Sequence, residues 1–515
     1  MIQDGAISEK SMPVALAAHE DARQLVRLLQ CTQCSKPFRN PVTLPCGHSL
    51  CKECLPQAHE REHISYPDIP GRRHAFECPF GDCGIDHPAS DCNTDVILAR
   101  LMDTISEVVA KHGSVINEEP VLVDEGMRYD EVVSSQPDAP TLQYSGGRLV
   151  ATFALAAKGQ LQFDSDLTYQ SKTKDEDAER ASDINLLQEV LEATQKEVDC
   201  QVCYGMMLDP VTTFCGHTLC RKCLARVLDH SLHCPVCRRG LAIPPSLLRQ
   251  PSNKTLVNLL NGLCPEIVAA RAEAVAQEEL GSDGHANVPL FVCTLGFPNQ
   301  PTFLRIFEPR YRLMLRRALE GNRQFGMLMY NRYNEPQEDL GTVHFYQYGT
   351  MLEIVHAQMM SDGTSLVETR GLYRFRVKSH ASVDGYLVGN VERLDDVNLA
   401  EEERIEAEET ASPPPEEGAE EDVAARVNRM STQDLLGIGK SFVEKMQGCS
   451  ANWLQQRVLD VHGQPPDDAA LFPYWFASVL PISEEEKYKL LGTRTVRERL
   501  KITAIWIRRI ETQRW

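Results

Sequence analysis

The chain has 515 residues, a formal net charge of −20 and a pI of about 5.3. Such an acidic chain repels phosphate groups, so we expect no nucleic-acid partner. No apolar run approaches the roughly 18 residues that span a bilayer, and the first residues lack the basic start and apolar stretch of a secretory signal. We therefore expect no membrane association and a cytoplasmic and/or nuclear location.

The cysteines are concentrated in two clusters. Of the 18 in the chain, 15 lie within residues 31–92 or 200–237. This distribution fits a reducing compartment, in which thiolates hold metal ions and do not form disulfides. The length is too great for a single core and predicts about three domains.

The first cluster follows an apolar pattern over residues 14–30 that predicts a helix. Its candidate metal ligands are Cys31, Cys34, Cys46, His48, Cys51, Cys54, Cys78 and Cys83. The last pair breaks the spacing of the others, because 23 residues separate Cys54 from Cys78 and four separate Cys78 from Cys83. His87 and Cys92 follow closely, so they remain alternatives for the last two ligands.

The second cluster is a repeat of the first. With a shift of 169 residues, 12 positions of the first cluster, six of them ligands, meet identical residues. The ligands of the second cluster are Cys200, Cys203, Cys215, His217, Cys220, Cys223, Cys234 and Cys237. Zinc takes four sulfur or nitrogen ligands at tetrahedral angles, so eight ligands imply two zinc ions in closed, structural sites.

This ligand series resembles that of RING fingers. In that family the pairs interleave, which implies that Cys200, Cys203, Cys220 and Cys223 hold one zinc and that Cys215, His217, Cys234 and Cys237 hold the other. The resemblance predicts two zinc ions per finger and about four per chain. It further implies binding of a ubiquitin-charged conjugating enzyme and transfer of the ubiquitin without a covalent intermediate on the finger.

The residues that carry this activity in RING fingers have counterparts here. Val202 and Pro235 match the apolar contacts with the conjugating enzyme, and Val227 stands where many active members have tryptophan. Arg238 matches the basic residue that bridges conjugating enzyme and ubiquitin, a task suited to a guanidinium with five donors. The first finger has Gln33, Pro79 and Gly84 in place of Val202, Pro235 and Arg238. We therefore expect residues 1–112 to contain a zinc scaffold without transfer activity, and residues 183–270 to contain the active finger.

The segments around the second finger are less distinctive. Residues 113–182 are predicted to be a partly ordered linker, with short strands at 149–155 and 160–167 as the alternative. The pattern of residues 183–196 predicts a helix that leads into the second finger. Asn253 is expected to cap a helix after that finger, and residues 271–286 form a second linker.

From residue 288 the pattern changes to that of a mixed α and β domain. A helix is predicted after Pro309, and Asp-Gly pairs at 362–363 and 384–385 predict hairpins. Ser483 with Glu486 and Thr495 with Glu498 are capping boxes that predict two late helices. Residues 400–422 hold mostly acids and prolines, and we expect a solvated insertion.

This region resembles the LON substrate-binding domain at the N-terminus of Lon-type proteases. The motifs that carry the resemblance are PLF at 289–291, FP at 297–298, LRIFEPRY at 304–311, FG at 325–326, GTV at 341–343 and GLYRF at 371–375. A Lon protease also needs an ATPase loop and a Ser-Lys dyad, and GIGKS at 437–441 only imitates the former because Asp434 replaces its first glycine. We expect no nucleotide binding and no protease activity.

Together these features resemble the LON peptidase N-terminal domain and RING finger protein family. The implied fold class is multidomain α+β, with two small zinc-binding RING modules followed by a LON N-terminal domain at residues 287–515, made of a β-rich sheet or barrel and C-terminal helices. The implied function is a RING-type ubiquitin ligase whose LON domain recruits a protein client. The alternative is a non-enzymatic zinc-binding adaptor that uses the same domains for assembly.

Overall fold

The computed structural model describes residues 15–113, 121–129, 132–135, 142–144, 146–171, 176–241, 249–281, 288–411 and 423–512. The chain forms two compact units that do not follow sequence order. The first comprises Met1–His59, His74–Ala242 and Gln250–Ala276, and the second comprises Glu60–Arg73, Ile243–Arg249 and Gln277–Trp515. In the described part of the chain, no helix is both long and apolar enough for a membrane span.

The first part of the chain consists of short strands and longer helices. Helices α1–α7 are Ala22–Arg27, Val96–Gly113, Gly147–Lys158, Glu176–Glu197, Arg221–His230, Lys254–Leu263 and Pro265–Gly281. Strands β1–β11 are Pro41–Thr43, Ser49–Cys51, His59–Glu60, His74–Glu77, Asp86–Pro88, Val121–Tyr129, Val132–Ser135, Leu142–Tyr144, Asp166–Ser171, Pro210–Thr212 and Thr218–Cys220. The helix predicted after the second finger is present as α6, and the helix predicted over residues 183–196 is present as most of α4. A further helix, α2, follows the first cluster. The helix predicted over residues 14–30 is limited to the six residues of α1.

The short strand considered for residues 149–155 is wrong. These residues belong to α3, whose buried side chains Leu149, Val150 and Phe153 recur at helical spacing. The helix begins at a buried carboxylate, since Asp183 accepts hydrogen bonds from the amides of Arg148 (3.2 Å) and Leu149 (2.9 Å). The N-terminal end of α3 is therefore held by a contact with α4. The alanines of α3 obscure the helical period in the sequence.

The second unit contains the region with the LON motifs. Strands β12–β19 are Val288–Cys293, Pro301–Ile306, Gln324–Tyr330, Pro336–Gln337, Gly341–Thr342, Phe345–Met359, Ser365–Val383 and Tyr386–Leu394. Helices α8–α15 are Pro309–Glu320, Leu399–Thr410, Val423–Arg429, Thr432–Gly448, Gln456–His462, Phe472–Val479, Glu484–Tyr488 and Val496–Thr512. The main sheet has the order β13-β18-β17-β14-β12-β19, and β19 also pairs with β18, which closes it. The predicted combination of a β-rich sheet or barrel and C-terminal helices is confirmed.

Local signals in the second unit agree with the structure. Both Asp-Gly pairs lie at hairpins, with a φ of 77° at Gly363 and 85° at Gly385. The side chain of Ser483 accepts a hydrogen bond from the amide of Glu486 (3.4 Å), and that of Thr495 accepts one from Glu498 (3.0 Å). The lookalike phosphate loop at residues 437–441 lies inside α11, where helical backbone offers no cradle for phosphate.

A buried ion-pair network joins the sheet to the C-terminal helices. Asp396 follows β19 and lies 2.7 Å from the guanidinium of Arg374 in β18 and 2.6 Å from that of Arg499 in α15. All three side chains are buried, and the two guanidinium groups lower the pKa of Asp396 against the opposing effect of burial. Arg374 belongs to the GLYRF motif, so that motif has a structural role in this unit.

The expectation of a solvated acidic insertion is wrong for its first half. Residues 399–410 form α9, and Glu402, Glu403 and Glu406 on this helix are buried. Glu402 accepts hydrogen bonds from the amides of Val496 (3.1 Å) and Arg497 (2.8 Å) at the start of α15. The charged face of α9 therefore packs against partners that satisfy it. Residues 412–422, the second half of the insertion, lie outside the described residues.

The remaining partners of α9 come from Glu60–Arg73, a segment that lies between candidate zinc ligands in the sequence. Glu403 pairs with Arg61 (2.8 Å) and Arg72 (2.6 Å), and all three side chains are buried. Glu406 accepts hydrogen bonds from the amides of Ser65 (3.1 Å) and Tyr66 (3.2 Å). The ring of Tyr66 is part of the apolar core formed by the C-terminal helices. The long stretch between Cys54 and Cys78 thus includes a segment, Glu60–Arg73, that belongs to the second unit.

We predict that Glu403→Ala destabilises the second unit by about 3–5 kcal/mol, because it leaves two buried guanidinium groups without their carboxylate. Urea unfolding followed by tryptophan fluorescence measures this selectively, since all four tryptophans lie in residues 453–515. The matched control is Glu408→Ala on the same helix, where an exposed pair with Arg404 is lost and about 0–1 kcal/mol is expected. Equal losses for the two variants would contradict the role of Glu403.

Candidate zinc sites

The second finger brings its eight predicted ligands into two groups. The ligand atoms of Cys200, Cys203, Cys220 and Cys223 lie within 4.8 Å of one another, and so do those of Cys215, His217, Cys234 and Cys237. Each group combines a loop with the β10–β11 hairpin or the helix after it, since Cys220 ends β11 and Cys223 lies in α5. The interleaved assignment predicted from the resemblance corresponds to these two groups.

The donor atoms fit tetrahedral zinc in distance as well as in type. A zinc–sulfur bond of about 2.3 Å places two thiolates of one tetrahedron roughly 3.8 Å apart. In the first finger the sulfur atoms of Cys34 and Cys51 are 3.8 Å apart, and so are those of Cys46 and Cys78. In the second finger the Cys215 sulfur lies 3.3 Å from Nδ1 of His217. These donors would hold two zinc ions in each finger.

The pKa values of the thiols also indicate that each group needs a bound cation for all of its thiols to ionise. A hydrogen bond with Cys220 lowers the pKa of Cys200 to about 4, whereas burial raises the pKa of Cys223, in the same group, to about 12. One thiol of such a group ionises readily and its neighbours then resist ionisation, because like charges repel in a buried place. A divalent cation stabilises all the thiolates at once, and its binding energy becomes folding energy.

The first finger corrects one predicted ligand. Cys31, Cys34, Cys51 and Cys54 form one group, as in the second finger, but the other group is Cys46, Cys78, Cys83 and His87. His48, the predicted ligand, lies outside this group although its Nδ1 is 3.4 Å from the Cys46 sulfur. Of the alternatives left open for the last two ligands, Cys78 and Cys83 are retained. Cys92 is not in the group, and its thiol contacts the carbonyl oxygen of Pro88.

The β4–β5 hairpin explains why His87 replaces His48. Phe76 of β4 pairs with His87 of β5, which returns the buried imidazole to the loop of Cys78 and Cys83. Its Nε2 lies 3.5 Å from the Cys83 sulfur. His48 instead stacks on Phe80 with 4.2 Å between ring centroids, and its Nε2 lies 2.8 Å from the Lys254 ammonium. The sequence marked His87 as an alternative ligand, but not as the replacement for His48.

We predict that His87→Ala reduces the zinc content of the full chain from about four ions to about three, because it removes a buried ligand. His48→Ala should leave about four ions, because it removes only a stacked and hydrogen-bonded ring. Elemental analysis of the two purified variants measures both numbers. Loss of zinc from His48→Ala together with full occupancy in His87→Ala would restore the assignment made from the sequence.

The residues expected to contact a conjugating enzyme lie on the surface of the second finger. Val202 and Val227 are half-buried, whereas Pro235 and Arg238 are exposed. Arg238 has a φ of 61°, and its amide donates to the carbonyl oxygen of Cys234 (2.8 Å), so the zinc loop fixes its backbone. Gly84 occupies the corresponding left-handed position of the first finger with the same φ. Sequence reasoning missed the exposed apolar residues Tyr204 and Leu232 on the second finger.

Comparisons with known proteins agree with the two kinds of module. The model of the ATP-dependent protease La (LON) substrate-binding domain matches residues 287–509. A C3HC4-type zinc finger (RING finger) model matches residues 199–237, and a RING-type zinc-finger model matches residues 31–79. The chain is therefore a zinc-finger protein with RING modules followed by a LON substrate-binding domain.

Similar proteins share this combination or parts of it. The LON peptidase N-terminal domain and RING finger protein C14F5.10c of Schizosaccharomyces pombe is 27% identical over 487 residues, 92% of each chain. The uncharacterized RING finger protein C548.05c of the same yeast is 34% identical over 95 residues, 18% of this chain and 19% of that one. The crystal structure of a Lon N-terminal domain protein from Xanthomonas campestris covers 43% of this chain and 98% of its own, with 22% identity and a TM-score of 0.28. The resemblance to LON peptidase N-terminal domain and RING finger proteins is confirmed.

Proposed function

We propose that the chain is a RING-type ubiquitin ligase whose second finger binds a ubiquitin-charged conjugating enzyme. The observation that carries this proposal is a set of surface residues, the half-buried Val202 and the exposed Pro235 and Arg238, each next to a candidate zinc ligand. The matching positions of the first finger hold the polar Gln33 and the side-chain-free Gly84. An apolar contact and a donor-rich side chain are thus combined on one finger only.

In the proposed reaction the finger acts by orientation. The two zinc ions would hold the loops that carry Val202, Pro235 and Arg238, and they supply no open position for substrate. Val202 and Pro235 would dock the conjugating enzyme, and the Arg238 guanidinium would donate hydrogen bonds to both enzyme and ubiquitin. Restraining the thioester-linked ubiquitin in a reactive orientation raises the rate without any covalent bond to the finger.

We further propose that the second unit recruits the protein client. Its buried carboxylates, Asp396 and those along α9, accept hydrogen bonds from structural partners. The family description of a substrate-binding domain supports recognition as its role. The concentration of cysteines in metal-type groups supports a reducing location, in the cytoplasm and/or the nucleus.

We predict that Arg238→Ala slows ubiquitin discharge from a charged conjugating enzyme by about ten- to a hundredfold, the equivalent of one charge-assisted hydrogen bond. The measurement is single-turnover discharge to free lysine with a panel of conjugating enzymes, with zinc content measured alongside. Arg239→Ala is the matched control, since this neighbour is also exposed and the family pattern gives it no role.

Two results would contradict the proposal in different ways. Equal slowing by the two arginine variants would remove the specific role of Arg238. The absence of discharge by the unmodified chain with every enzyme of the panel would favour the non-enzymatic adaptor, to which the small Val227 in place of tryptophan already points.

Client recruitment has its own test. We predict that a chain without residues 287–515 no longer modifies clients but still modifies itself. Glu60–Arg73 should be replaced by a short Gly/Ser linker in this variant, because that segment loses its partners on α9. Unchanged modification of every client would show that recognition lies elsewhere.

A further inference from the structure

The two fingers are joined by a reciprocal pair of backbone hydrogen bonds. Val96, the first residue of α2 after the first finger, donates to the carbonyl oxygen of Gly216 in the second finger (3.0 Å). Lys254, the first residue of α6 after the second finger, donates to the carbonyl oxygen of Gly47 in the first (2.8 Å). Each finger thus holds a loop of the other by the start of the helix that follows it.

A buried polar cluster lies between these two contacts. Asp95 and Asn253 directly precede the two helices, and Nδ2 of Asn253 donates to Oδ2 of Asp95 (2.8 Å). The hydroxyls of Thr43 (2.7 Å) and Thr212 (3.3 Å), at equivalent positions of the two fingers, donate to the same oxygen. Asp95 and Asn253 are both fully buried. An acceptor from the first finger is therefore satisfied by donors from both fingers, which ties them into one body.

The close approach of the two fingers requires glycine at both loops. Gly47 and Gly216 have φ values of 83° and 84°, a conformation that L side chains rarely adopt. A Cβ atom on Gly216 would lie 2.0 Å from the carbonyl oxygen of Thr94, and one on Gly47 would lie 2.2 Å from that of Ser252. The interface is thus built with the same geometry on both sides.

Gly216 is connected to two of the residues proposed for transfer, Pro235 and Arg238, through a shared group of candidate zinc ligands. Gly216 lies between Cys215 and His217, which share a ligand group with Cys234 and Cys237. That last pair flanks Pro235, and Arg238 follows it. Holding the Gly216 loop therefore holds one half of the ligand group whose other half presents Pro235 and Arg238.

We infer that the first finger is a positioning element for the second, and that Asp95 and Asn253 are positioning residues for ubiquitin transfer. This inference rests on the proposed ligase function. Positioning the second finger requires the zinc-supported fold of the first finger. It does not require counterparts of Val202 and Arg238, which the first finger lacks. Loosening the Asp95–Asn253 contact should release the Gly216 loop and misplace Arg238.

The decisive variant is Asp95→Asn in the full chain. The two carboxylate oxygens of Asp95 have separate tasks, since Oδ1 accepts from the amides of Ile97 and Leu98 at the start of α2, whereas Oδ2 faces the other finger. Asparagine keeps an oxygen for the helix cap but turns a donor towards the donor group of Asn253. The swapped double variant Asp95→Asn with Asn253→Asp restores one acceptor and one donor, and the near-symmetry of the cluster lets it rescue the contact.

Two readouts are needed, and the first does not depend on activity. Hydrogen exchange of the amides around Gly216 should become about tenfold faster or more in Asp95→Asn, with four zinc ions retained, and should return towards the original rate in the swapped variant. Ubiquitin discharge should fall by about tenfold in the single variant and recover with the swap. If Asp95→Asn loses zinc, Thr43→Val, which removes one donor hydroxyl at little change in shape, replaces it.

The outcomes separate this inference from the proposed function. Faster exchange with unchanged discharge, or discharge that the swap does not rescue, would overturn the positioning role while Arg238→Ala still slows transfer. Unchanged exchange in Asp95→Asn would show that the cluster does not hold the loop. Absence of discharge by the unmodified chain with every conjugating enzyme of the panel would refute the ligase function itself, whatever the exchange data show.

Discussion

The structure of the two fingers depends on the cost of placing several thiolates close together. Each group gathers three or four cysteines whose sulfur atoms lie within 4.8 Å of one another. Without a cation these thiols do not ionise together, and a finger of about 40 residues buries too little apolar surface to offset the loss of chain entropy. Zinc binding therefore supplies the folding energy, and the loops that carry Val202, Pro235 and Arg238 depend on it.

Buried carboxylates play the corresponding part in the second unit. Asp396 joins the sheet to α15 through two arginines, and Glu403 joins α9 to Glu60–Arg73 through two more. Each of these pairs is costly to desolvate, and removing one partner costs more than keeping both. A stretch of sequence with an acidic, solvated composition can therefore be a structural helix when its partners lie elsewhere in the chain.

The interface between the fingers also contains a buried carboxylate, that of Asp95, and it joins two fingers with different proposed roles. Repetition of the ligand pattern produced two similar folds, and the residues around Gly47 and Gly216 let each fold support the other. The first finger has Gln33 and Gly84 where the second has Val202 and Arg238, and neither position is among the contacts between the fingers described above. Positioning of one finger by the other is thus compatible with transfer residues on the second finger alone.

The sequence by itself determined the zinc ligands of the second finger, the repeat, the LON motifs and several helix starts, such as the cap at Asn253. These features are local: ligand spacing, turn chemistry and capping act within a few residues and survive in any context. Tertiary structure alone decided that His87 replaces His48, that Glu402, Glu403 and Glu406 are buried, and that Asp95 meets Asn253. In each of these cases the partner is remote in sequence, from about 40 residues between Cys46 and His87 to more than 300 between Arg61 and Glu403, and no local pattern records which distant group will meet a given side chain.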